Sequence, residues 1–153
     1  MHSGLTATMH FGFSAAHASA ALVRLASEGL RFGRDAESAR ALGLGTVQLE
    51  ALGAWMRYAG LVVRAGRQAQ LTPFARLTIQ YDPDLHLPLT WWAIHWHLAT
   101  NYIVWRLLSR LGYRRYSIAE LDSELASVAP EQSEQTIRNA RQAFGRPEGG
   151  CAG

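Results

Sequence analysis

The chain contains no lysine: all fifteen of its basic residues are arginine. An arginine fork binds phosphate or carboxylate through two parallel hydrogen bonds, which a lysine cannot do. Cysteine is almost as scarce. Cys151 stands alone, which excludes a disulfide framework or a cysteine zinc site within the chain and suits the reducing cytoplasm. The opening MHSGLTATMHFGF has no basic region followed by an apolar run, so no signal peptide is expected. The most apolar window, Leu89 to Leu108, contains His95, His97, Asn101 and Arg106. It reads as a buried helix and not as a membrane span. There is no phosphate-binding glycine loop, no nucleophile–base motif and no paired-carboxylate constellation. Catalytic residues therefore cannot be assigned.

What remains is a chain of 153 residues that is 48% hydrophobic, long enough for a real core. Its net charge of +3 is unevenly spread. Residues 40–76 hold five arginines against Glu50, and residues 117–134 hold five acids and no base. A basic stretch of this kind points to an anionic partner.

Hydrophobic spacing predicts a mainly α-helical fold. Ala15 to Leu30 forms a first helix with Leu22, Leu25 and Ala26 on one face, and Gly29 ends it. A short helix over Ala36 to Leu42 follows, then the turn Gly43-Leu44-Gly45. Thr46 caps a second helix that Gly60 closes. Its apolar stripe is Val47, Leu49, Leu52, Met56 and Ala59; Gln48, Glu50, Ala51, Ala54 and Arg57 face outward. Helix, tight turn and amphipathic helix is the helix-turn-helix layout. Leu61-Val62-Val63, a turn from Arg64 to Gln68, and Ala69 to Thr72 then read as a β-hairpin. A hairpin in that place makes a winged helix-turn-helix. Pro73 to Ile79 is a further helix, and SIAELDSELASVAPEQSEQTIRNARQAF gives two more, Ser117 to Ala126 and Ser133 to Phe144. Three units are expected: a winged-helix domain with its Trp-rich packing helix over 1–112, a small C-terminal helical unit over 113–145, and a disordered tail over 146–153.

DPDLHLPLTWWAIHWHLATNYIVW, residues 82–105, holds four of the five tryptophans and three of the six histidines. It is expected to run as a helix from Pro88 to about Arg110, apolar over most of its circumference. That marks a central or interface helix. His95 and His97 lie about 160° apart on a helix and cannot chelate one metal. They are expected to be buried core histidines, and no metal site is expected. The tryptophans lack interleaved arginines, so a base-stacking platform is disfavoured. Asp82 and Asp84 flank Pro83, which reads as a turn; a two-carboxylate Mg²⁺ site there is the alternative.

HFGFSAAHA, ALGLGTVQLEALGAWMRYAGLV, LTPFARLTIQYDPDLHLPLTWWAIHWHLATN and SEQTIRNARQAF occur in this order. Together they resemble the bacterial domain-of-unknown-function family numbered 4007. The resemblance spans residues 10–144. It implies a DNA-binding component of a bacterial DNA phosphorothioation or anti-phage defence module. It also allows strand nicking, though no nuclease site transfers to any residue here. Ser14-Ala15-Ala16-His17 and Thr46-Val47-Gln48 depart from the family pattern, and the chain stops short of the usual length.

The partner expected is double-stranded DNA, with other phosphorothioation proteins beside it and no membrane. Thr46, Gln48, Arg57, Arg64, Arg67 and Arg76 are the candidate contacts. Thr46 would offer its hydroxyl or helix amides to phosphate. Gln48 and Arg57 would reach base edges, and the hairpin arginines would hold the backbone. No cofactor is expected, apart from Mg²⁺ if the chain nicks DNA. The alternative is a protein-interaction scaffold that docks a modification enzyme without touching DNA.

Overall fold

The computed structural model describes residues 11–65, 68–102, 105–107, 111 and 116–145. The fold is mainly helical, with one small antiparallel sheet of two strands. Arg67 and the tail 146–153 lie outside the described residues.

Helix α1 spans Ala15–Ser27 and starts on Ser14, whose hydroxyl accepts the His17 amide. Helix α2 spans Ala36–Ala41 and starts on Asp35, whose carboxylate accepts the Ser38 amide at 2.8 Å. Hydrogen bonding to those groups holds the Asp35 carboxyl below its ordinary pKa. After the turn at Gly43 comes α3, Thr46–Tyr58. Its N-cap is Gly45, in extended conformation, and Thr46 is the first helical residue instead of the cap. The cap amide is satisfied from within the helix: Gln48 Oε1 accepts the Gly45 N–H at 2.8 Å.

α3 is the centre of the molecule. It touches α1, α2, α5 (Pro88–Asn101) and β1 (Val62–Ala65). This corrects part of the expected outward face, on which Gln48 and Arg57 are exposed and Glu50 partly so. Ala51 and Ala54 are buried, and Val47 is exposed. Alanine is small enough to let neighbouring elements approach closely, and polarity patterning cannot tell such an alanine from a solvated one. Trp55, the tryptophan outside the Trp-rich stretch, is buried here. Its indole N–H donates to the Phe11 carbonyl at 2.8 Å, and its ring meets Phe13 and Tyr102 edge-on.

β1 pairs with β2 (Gln68–Leu71) from Val62 opposite Leu71 out to Ala65 opposite Gln68. Pairing thus runs further than the sequence suggested, and Arg64 sits in a strand instead of the turn. Thr72 locks the hairpin base. Its hydroxyl donates to the Gly60 carbonyl at 2.7 Å and accepts the Ala75 amide that starts α4, Pro73–Tyr81.

α5 ends at Asn101, well short of Arg110. Tyr102 leaves the helix in extended conformation because its ring is drawn into the core. It stacks on Tyr58 at 4.7 Å and meets Trp55 at 5.3 Å. Burial raises the Tyr58 phenol pKa, with the Arg57 charge acting in the opposite direction. Residues 105–107 are helical again. The C-terminal helices α6, Ile118–Val128, and α7, Glu134–Gly145, pack on each other and are tied by Arg141 to Asp122 at 2.8 Å. Ser117 and Glu120 form the expected capping box of α6.

Candidate nucleic-acid interface

Arg57 and Arg64 reach the same place by different routes. Arg57 is in the last turn of α3, and Arg64 is on the hairpin strand that leaves it. Both are exposed. They line a groove of about 310 Å³ together with Phe32, Glu50, Val63 and Gln68. The floor exists because Gly53 lacks a side chain. A Cβ there would stand 2.6 Å from Phe32 Cβ, so only glycine lets the 28–35 segment close on the helix.

Glu50 would repel a phosphate. In the fold it is paired: Arg34 Nε lies 3.3 Å from Glu50 Oε2. The groove edge is therefore net basic, with Arg34, Arg57 and Arg64 against one carboxylate. Arg34 was missed by the sequence reading because it precedes the basic window 40–76. Its only signal was a position just before the Asp35 helix cap.

Arg67 lies outside the described residues, and the other three expected contacts, Thr46, Gln48 and Arg76, do not join this cluster. Nine residues separate Gln48 from Arg57, about half a turn out of phase and roughly 14 Å along the axis. Gln48 instead lines a small cleft with Ser14, His17 and Leu44. Its side-chain oxygen is already engaged by Gly45. Thr46 lies at the same far end of α3. Arg76 is exposed on α4 and does not line the groove.

No family model, curated protein or solved structure matches the chain.

The titratable groups of the Trp-rich stretch divide into separate roles. Asp82 is buried. Its two oxygens accept the His86 amide at 2.7 Å and the Leu87 amide at 3.0 Å. Burial would raise its pKa, but the hydrogen bonds from Thr90, His86 and Leu87 outweigh that and hold it below the ordinary value. Asp82 is thus a loop cap, and Asp84 is exposed beside it. Both carboxylate oxygens of Asp82 are already engaged by backbone amides at the position where the sequence offered a two-carboxylate site.

His95 and His97 are not both buried. His95 is exposed, and its Nδ1 accepts the Trp105 indole N–H at 3.1 Å. That bond fixes the proton of a neutral ring on Nε2. His97 is half-buried against Phe74. Among the described residues, no three His, Cys, Asp or Glu side chains gather as a metal-binding group. No helix among them is long and apolar enough to cross a membrane.

Proposed function

We propose that the chain binds double-stranded DNA through the groove between the end of α3 and the hairpin. The observation that carries this is the convergence of Arg57 and Arg64 on one exposed groove whose acid is already paired with Arg34. Bidentate arginines suit phosphate. The order α2, turn, α3, hairpin supports a winged-helix reading, with the hairpin as the wing.

In this reading the middle of α3 does not enter the major groove. Its residues from Ala51 to Met56 are buried. Contacts come from the C-terminal end of the helix and from the wing, and they fall mainly on phosphates. Such contacts fix position and carry little sequence information. Binding is accordingly of low sequence specificity. The place of the protein in a phosphorothioation or anti-phage defence module rests on the resemblance of the quoted segments. Mg²⁺-dependent nicking would require a metal site, and among the described residues no three His, Cys, Asp or Glu side chains gather as one.

The test is a fluorescence-anisotropy titration of a labelled duplex at several salt concentrations. If three to four arginines meet phosphates, log K falls against log salt with a slope of roughly −3. A flat salt response overturns the reading.

A second reading has its own support. Trp92 and Trp96 are largely exposed on α5, as expected of a scaffold that docks another protein. A partner that co-purifies at high salt without DNA would favour it.

A further inference from the structure

The Trp-rich helix is half in the core and half out of it. Ile94 and Leu98 are buried, and the Trp91 indole donates to the Leu85 carbonyl at 2.7 Å. The opposite side is different. Leu89 is 78% exposed, Trp92 68% and Trp96 72%. At 100° per residue these three fall within one 60° sector of the helix. Nothing in the described fold covers them.

We propose that this face is a homodimer interface, on which α5 of a second copy packs against α5 of the first. Three observations select a second copy over other occupants. First, α5 has no Asp, Glu, Lys or Arg from Pro88 to Asn101. A two-fold axis brings each patch onto itself, and an uncharged patch can meet itself without like-charge repulsion. Along Leu89, Trp92 and Trp96 a DNA strand or an acidic partner would find no cation to recognise; the Arg106 guanidinium, which donates to the Thr100 carbonyl, stands at the edge of the patch.

Second, the area fits. A fully exposed tryptophan presents about 250 Å², so Trp92 and Trp96 offer on the order of 350 Å² between them. Leu89 and the edges of His95 and Thr100 bring the face to roughly 600 Å² per chain, near the top of what a monomer leaves bare. Two copies then bury on the order of 1,200 Å², which reaches the lower limit for a specific stable interface. Third, the composition is right. Tryptophan is enriched at the buried centres of interfaces, and charge is depleted there. The inference is independent of the DNA reading, since none of the groove arginines lies on α5.

Sedimentation equilibrium from about 1 μM to about 100 μM spans the association expected of an interface of this size. The expected result is a rise from the 16.9 kDa monomer mass toward twice that mass. Iodide quenching of tryptophan emission should fall over the same range as Trp92 and Trp96 become covered. Trp96→Glu places two carboxylates face to face across the axis, and Trp92→Ser/Trp96→Ser removes the apolar contact. Each should weaken association at least about tenfold, the effect of losing one well-buried contact. Their circular dichroism should stay unchanged, because the side chains replaced are exposed. A wild-type monomer at every concentration overturns the proposal, including the outcome in which the face binds a different protein. So does a dimer that both folded variants retain.

Discussion

The imidazole of His97 fills the space that a side chain at Gly60 would need. A Cβ built on Gly60 would stand 2.5 Å from His97 Cγ, and Gly60 has φ +71°. Gly60 closes α3 and opens the hairpin, and its carbonyl accepts the Thr72 hydroxyl. One residue therefore fixes the exit of α3, the base of the hairpin and the seat of α5. The groove arginines Arg57 and Arg64 stand on either side of this point.

Gly60→Ala should then be costly. The left-handed conformation costs an L-residue about 1–2 kcal/mol, and overpacking against the ring adds about 1–3 kcal/mol. A loss of roughly 3 kcal/mol in urea unfolding is expected. In a His97→Ala background the clash term vanishes, so the two substitutions should be strongly non-additive. Additive losses would show that the ring does not respond to Gly60.

Asp82 should dominate the acid sensitivity of the α4–α5 loop. Its folded pKa lies below the ordinary 3.8. The sign is that of a depressed carboxyl: its contribution is fully present above the unfolded value and disappears as pH falls through the folded one. Asp82→Asn leaves one of two backbone amides without an acceptor and should cost about 1–3 kcal/mol at neutral pH. Below pH 3.8 the wild type and the variant should converge, as measured by chemical unfolding across pH. A gap that stays constant as pH falls well below that value would contradict this role. Asp35, also depressed, should leave a smaller acid dependence in the variant.

Gln48 should matter for the helix and not for DNA. Its side-chain oxygen accepts the Gly45 N–H, so Gln48→Ala should lower stability by about 0.5–1 kcal/mol through loss of the cap. Duplex affinity should stay within a factor of about two, because the residue lies half a turn from the groove arginines. A large affinity loss with unchanged unfolding would restore it as a base contact.

The starts of the helices were legible in the sequence to within a few residues, because caps and turns are local chemistry. Pro73, Pro88 and Ser117 mark helix starts both in the sequence and in the fold. Which face each helix buries was less legible. Ala51 and Ala54 gave no polarity signal, although four elements enclose α3. Trp92 and Trp96 read as core by hydrophobicity, but their neighbours on α5 fill the core first. The end of α5 was set by a tertiary event, the stacking of Tyr102 on Tyr58, which no local pattern encodes. The candidate site was half visible: Arg57 and Arg64 were named from sequence, whereas Arg34 entered only through its pairing with Glu50.

That pairing sharpens the central prediction. Arg57→Ala and Arg64→Ala each remove a cation from the groove edge without touching the core, so the fold should persist in both. If each guanidinium neutralises one phosphate, each substitution should reduce the salt slope by about 1. Arg34→Ala should act in two ways, because it removes a cation and also releases Glu50 toward the groove. It should therefore weaken duplex binding more than Arg76→Ala, whose side chain lies away from the groove on α4. Glu50→Gln should tighten binding, most visibly at low salt, where a carboxylate near phosphate repels over a Debye length of about 30 Å. Anisotropy titrations of these five variants at two salt concentrations make the comparison. Equal losses for Arg34→Ala and Arg76→Ala would place the DNA elsewhere on the surface and remove the groove as its seat.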